Sequence, residues 1–208
     1  MENFKNLFKG SLTIPNLLCV IRIALIPVFG VLFYDGKIFW AVVVLFISGL
    51  TDFFDGKIAR RFNQISELGK MLDPIADKLT QITIAVVLFF YFGKSTDPTM
   101  KWFKWVFMFF LFKEALMVVV GAIMIFMGLR PSAAEIYGKV ATMVFYAVMC
   151  TIIAFGPEIG ALTSFFVLPK SVMIALVIIS AILTLVALLS YIPGTIKQFK
   201  ESKKKEEN

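Results

Sequence analysis

Six runs of about twenty mostly apolar residues, each bounded by charge or by Gly and Pro, dominate this chain of 208 residues. A helical run of that length matches the roughly 30 Å hydrocarbon core of a bilayer. Lipid admits only helices or closed barrels, because every backbone polar group must find its partner inside the structure. The runs predict helices at about 15–34, 38–59, 74–92, 102–127, 136–155 and 170–192. Six spans need about 120 residues, and 59% of the chain is hydrophobic, so no soluble domain of ordinary size is left over. The expected fold is an all-α integral membrane protein with six transmembrane helices over residues 13–193. Residues 1–12 set Phe4, Leu7 and Phe8 against Lys5 and Lys9, an amphipathic segment suited to the interface. They lack a small-residue cleavage site, so the first span is expected to stay in the mature protein. Residues 194–208 form a charged tail expected in the cytoplasm.

Lys and Arg orient the spans. With both termini inside, fourteen of them face the cytoplasm and five the exterior, which the positive-inside rule reads as N-in, C-in. The net charge of +7 thus reports topology, and no nucleic-acid partner is expected. The aromatic run WFKWVFMFFLF reads as an interfacial belt and lipid-facing stripe. Histidine is absent, which excludes a His base, a Ser-His-Asp triad and His-ligated metals. Cys19 and Cys150 lie in apolar runs and read as small core residues rather than a disulfide. Chemistry therefore falls to carboxylates, Lys, Arg, hydroxyls or an oxygen-ligated metal.

Four of the 14 acidic residues stand where hydropathy does not expect them. Asp52 and Asp55 are three apart at the end of the second run; Asp73 and Asp77 are four apart at the start of the third. Each pair shares a helix face, and a turn between Phe62 and Leu68 lets the two helices lie antiparallel. Four like charges at membrane depth need compensation. Oxygen-ligated divalent cations supply it, and Mg²⁺ or Mn²⁺ is the natural choice where Cys and His are not at hand. Two such ions bridged by carboxylates are a recurrent device of phosphoryl chemistry. Gly56, Ala59 and Gly69 clear one side of each helix for a ligand, while Lys57 and Arg60 add positive charge for an anionic one. The competing reading pairs each Asp with a flanking Lys or Arg for topology alone; four at these spacings favour a functional cluster.

These residues carry a resemblance. Asp52-x-x-Asp55-Gly56-x-x-Ala59-Arg60, eight further residues, then Gly69-x-x-x-Asp73-x-x-x-Asp77 resembles at every fixed position the signature of the CDP-alcohol phosphatidyltransferases. TIPNLLCVIRIALIPVF is similar to that family's first span and DPIADKLTQ to its third. Lys113-Glu114 and Gly138-Lys139 with Thr142 resemble positions in its bacterial glycerophosphate-using members. The resemblance implies transfer of a phosphatidyl group from CDP-diacylglycerol to an alcohol, with release of CMP. It implies that Asp52, Asp55, Asp73 and Asp77 ligate two Mg²⁺ or Mn²⁺ ions and that Asp77 is the general base. It also implies that Asp55, Gly56, Ala59, Arg60 and Gly69 form the CDP site, and that homodimers, a bacterial plasma membrane and a cytoplasmic active site are to be expected.

For the acceptor, Arg22, Lys113, Arg130 and Lys139 offer the positive charge that glycerol 3-phosphate needs. Lys113 beside Glu114 also reads as a structural pair, and Arg130 before Pro131 as a topological flank. The fourth span is apolar from Leu116 to Leu129, where glycerophosphate-using relatives often carry another cation, so phosphatidylglycerol stays open as acceptor. The sixth span offers no cation for inositol phosphate between Ser171 and Ile192. Outside enzymology, a cation transporter using the Asp cluster is the alternative, although such sites favour the bilayer midplane between repeats.

Overall fold

A computed structural model describes residues 13–62, 66–126 and 136–206. The amphipathic segment 1–12 and Arg130 lie outside the described residues. Among these there are six helices and no strand: α1 (Ile14–Tyr34), α2 (Ile38–Arg61), α3 (Glu67–Gly93), α4 (Pro98–Phe126), α5 (Ile136–Phe155) and α6 (Lys170–Glu206). Five stretches are long and apolar enough to cross a membrane: Ile14–Tyr34, Leu72–Gly93, Pro98–Met124, Tyr137–Phe155 and Lys170–Ile196. They make this a multi-pass membrane protein. The apolar part of α2, Ile38–Asp52, is shorter, because Asp52, Asp55 and Lys57 occupy its last turns.

Two helices run well past the hydropathy boundaries. The third begins at Glu67 rather than 74, since Ser66 Oγ accepts the Gly69 N–H at 2.9 Å and so caps the first turn. Pro74 sits inside the helix and leaves one backbone carbonyl without its usual donor. The sixth continues to Glu206 rather than 192, because Lys, Gln and Glu favour helix although they end an apolar run. The charged tail is thus a helical extension of α6.

The chain divides into two compact units. The first holds α1, α2, α3 as far as Val87, and residues 150–168. Here Thr13 Oγ1 accepts the Asn16 N–H at 3.4 Å and Pro15 fills the first turn of α1. At the other end Gly36 adopts a φ of 74°, and Lys37 N–H returns to the Leu32 carbonyl at 2.9 Å. That left-handed residue ends α1 and reverses the chain into α2. Cys19, Phe29, Phe33, Ala41, Leu45, Ala76 and Ile84 form the buried apolar core. Cys19 is buried and Cys150 half-buried, and neither is in a disulfide among the described residues.

The second unit holds the end of α3, α4, α5 up to Met149, and α6. Its centre is aromatic: Phe92 and Phe107 stack at 5.6 Å with 6° between planes, and Phe103 meets both edge-on. Phe110 reaches Phe145 of α5 at 5.0 Å. The aromatic run is therefore only half a lipid-facing stripe: Phe103, Phe107 and Phe110 share one helical face and are buried, while Trp102, Trp105 and Phe112 are exposed. Asp97 accepts the Thr99 N–H at 2.8 Å, capping α4, and pairs with Lys170 at the start of α6. The bond from Lys170, helped by that from Thr99, holds the Asp97 carboxyl below its usual range.

Phe107→Ala should destabilise the protein by about 3 kcal/mol, and Trp102→Ala by much less, as read by thermal unfolding in detergent. For Asp97 the folded-state pKa is lowered, so its stabilisation exists above the ordinary carboxyl pKa and fades as pH falls through the folded value. Asp97→Ala should accordingly lower Tm at neutral pH, with the difference from wild type narrowing below pH of about 4.

Candidate active site

Three helices of the first unit bring ionisable side chains to one point. Asp73 and Asp77 lie one turn apart on α3, and Asp52 comes from α2. One carboxylate oxygen from each lies within 4.8 Å of the other two. Arg22 of α1 reaches into this group with a side chain fully removed from solvent. Its Nη1 lies 2.9 Å from Asp52 Oδ1, 3.2 Å from Asp73 Oδ1 and 2.9 Å from Asp77 Oδ1. With all three carboxylates ionised, one guanidinium leaves two negative charges. The donor set consists wholly of hard oxygen atoms, the ligand type that Mg²⁺ and Mn²⁺ take. The cluster thus fits a divalent cation in ligand chemistry, spacing and charge, and Asp52, Asp73 and Asp77 are the residues that would hold it.

Beside the carboxylates, α1 and α3 approach closely. Ser66 Oγ donates to Asn16 Oδ1 at 2.9 Å. A Cβ placed on Gly69 would stand 2.4 Å from the same Asn16 oxygen. The open side of Gly69 is therefore filled by Asn16. Asn16 is buried, and sequence reading passed it over. The signal was present as an amide inside the apolar run after Pro15, six residues before Arg22.

The remaining candidates are placed as follows. Asp55, Gly56, Ala59 and Arg60 lie on the last turns of α2, and their side chains lie outside the described residues. Arg22, expected at the acceptor, sits among the carboxylates. Lys113 pairs with the buried carboxylate of Glu114, and Lys139 is exposed on α5; both belong to the second unit.

The sequence profile of the CDP-alcohol phosphatidyltransferases matches residues 12–193. The chain belongs to that family. Among curated proteins it is 38% identical over 140 residues to a protein of Streptomyces coelicolor named cardiolipin synthase (CMP-forming), covering 63% of this chain and 60% of that one. It is 38% identical over 143 residues to a putative cardiolipin synthase of Mycobacterium tuberculosis, covering 68% and 65%. It is 41% identical over 85 residues to the CDP-diacylglycerol–glycerol-3-phosphate 3-phosphatidyltransferase of Blochmanniella floridana, covering 39% and 44%. The chain thus spans less than two thirds of the length of each of these relatives.

In this phosphatidyltransferase-family chain, Gly69→Ala should force α3 away from Asn16 and destabilise the fold by about 1–3 kcal/mol. Thermal unfolding checks this, and Asn16→Ala in the same background should recover part of the loss, because the clashing oxygen is then gone.

Proposed function

We propose that the protein transfers the phosphatidyl group of CDP-diacylglycerol to glycerol 3-phosphate, giving phosphatidylglycerophosphate and CMP, as a phosphatidylglycerophosphate synthase. The observation that supports this most is the convergence of Asp52, Asp73 and Asp77, three of the four aspartates of the family signature, on one cation-sized point. In this reading Asp52, Asp55, Asp73 and Asp77 hold two Mg²⁺ or Mn²⁺ ions. Those ions, when bound, would neutralise the donor diphosphate and stabilise charge on the leaving CMP.

Asp77 takes the proton of the acceptor hydroxyl. The acceptor oxygen bonds to the phosphorus that carries diacylglycerol, and the bond from that phosphorus to CMP breaks. A carboxylate serves as base because the phosphorus under attack is already electrophilic in a charge-neutralised diphosphate, so the lack of His is no obstacle. Asp55, Gly56, Ala59, Arg60 and Gly69 line the CDP site, with Asn16 filling the wall at Gly69. Arg22, Lys113, Arg130 and Lys139 supply the charge for the acceptor phosphate.

The helices form six spans with both termini in the cytoplasm, the active site faces that side of a bacterial plasma membrane, and the protein acts as a homodimer. Phosphatidylglycerol as acceptor is the second reading. It is favoured by the greater share of the chain aligned to relatives named cardiolipin synthase. Family membership speaks against the transporter alternative.

The purified chain, given CDP-diacylglycerol with Mg²⁺ or Mn²⁺, should release CMP with glycerol 3-phosphate. Release with phosphatidylglycerol alone would move the assignment to cardiolipin synthesis, and cation flux in liposomes without CMP formation would end it. Asp77→Asn should keep donor binding and lose turnover by about 10²–10⁴-fold; substantial residual turnover would remove Asp77 as the base. Asp52→Ala should abolish metal-dependent donor binding, which a binding assay with labelled CDP-diacylglycerol reads directly.

A further inference from the structure

We infer that Arg22 is the resident counter-cation of the carboxylate cluster and that divalent metal displaces it, so that guanidinium and metal compete for the same oxygens. The inference rests on the metal-dependent reading above and adds to it a residue that governs loading. Three features carry it.

The first is convergence. Nη1 of Arg22 stands 2.9, 3.2 and 2.9 Å from carboxylate oxygens of two helices, donating to Asp73 and Asp77 and ion-paired with Asp52. It thus occupies the point on which a metal bound to the same three oxygens would have to sit. The second is space. Mg²⁺ binds oxygen at about 2.0–2.1 Å, so an ion on these three oxygens would sit within about 4 Å of Nη1 unless the side chain moved. Two cations that close repel.

The third is charge. Without metal, Arg22 offsets part of a cluster that α2 and α3 could not otherwise hold together. With two divalent ions, the four aspartates are already balanced and the guanidinium has no carboxylate charge left to neutralise. Arg22 is thus a positioning residue: it holds the ligands converged before metal arrives, and it sets the affinity with which metal enters.

The test uses the full-length protein in detergent with Mn²⁺ alone, free Mn²⁺ being read by electron paramagnetic resonance without substrate. Arg22→Gln should bind Mn²⁺ on the order of tenfold more tightly than wild type, the equivalent of one charge-assisted hydrogen bond no longer broken. Its Tm should fall in the metal-free state and recover toward wild type at saturating Mn²⁺, and Arg22→Lys should lie between. Unchanged or weaker Mn²⁺ binding by Arg22→Gln would overturn the exchange while leaving the metal-dependent function intact. Failure of wild type and variants alike to bind Mn²⁺ would overturn both.

Should the variants not fold, wild type reports the same exchange. Phenylglyoxal modification of Arg22, followed by peptide mass spectrometry, should rise several-fold when Mg²⁺ is added. A constant or reduced yield would reject displacement.

Discussion

The first unit depends on a buried charge that can only be held in company. Arg22 has no exposed side-chain surface, and stranding a cation in a membrane protein carries a large desolvation penalty. Three partly exposed carboxylates from α2 and α3 meet it at Nη1 and supply the opposite charge. Arginine suits this position better than lysine because its guanidinium stays ionised in any environment and is more weakly hydrated than an ammonium. The same contacts tie α1 to α2 across thirty positions of chain and to α3 across more than fifty, so one ion cluster links three helices.

At Gly69 a side chain of α1 comes close to the backbone of α3. An oxygen of Asn16 occupies the volume a side chain would fill, and Ser66 joins that oxygen to the first turn of α3. Small residues at tight helix contacts are the general solution in membranes, where apolar burial gives little driving force between helices. Here the glycine also lies on the helix that carries Asp73 and Asp77. The contact therefore positions ligands as well as helices.

The carboxylates were legible in the sequence because their spacing is local: three or four residues on a helix define a face before any tertiary contact is known. The partner of those carboxylates was not. Arg22 could be seen as an isolated cation in the first run, but pairing across thirty or more residues leaves no periodic trace, so its place among the carboxylates went unread. Asn16 was missed for a similar reason, since one amide in an apolar run does not disturb hydropathy. Helix existence followed from apolar runs, whereas the ends of α3 and α6 did not: hydropathy reports where lipid stops, and a helix continues as long as capping and propensity allow. The aromatic run in α4 hid its buried face because Phe serves equally against lipid and against Phe.

The short apolar portion of α2 bears on how such a cluster meets its substrate. From Ile38 to Asp52 the helix rises about 22 Å at 1.5 Å per residue, less than the roughly 30 Å of hydrocarbon. Counted back along α3 from Gly93, Asp77 lies about 24 Å from that end by the same measure. On the proposed topology both counts put the carboxylates several ångströms inside the cytoplasmic edge of the hydrocarbon. A diphosphate attached to two acyl chains sits close to that boundary, so the proposed donor would reach the cluster without leaving the bilayer. A water-soluble acceptor must descend to the same depth, which requires a polar path lined by cations, whereas a lipid acceptor arrives laterally along the exposed apolar faces. In the proposed reaction, the depth of the aspartates would make the cationic lining, more than the aspartates themselves, the determinant of which alcohol is used.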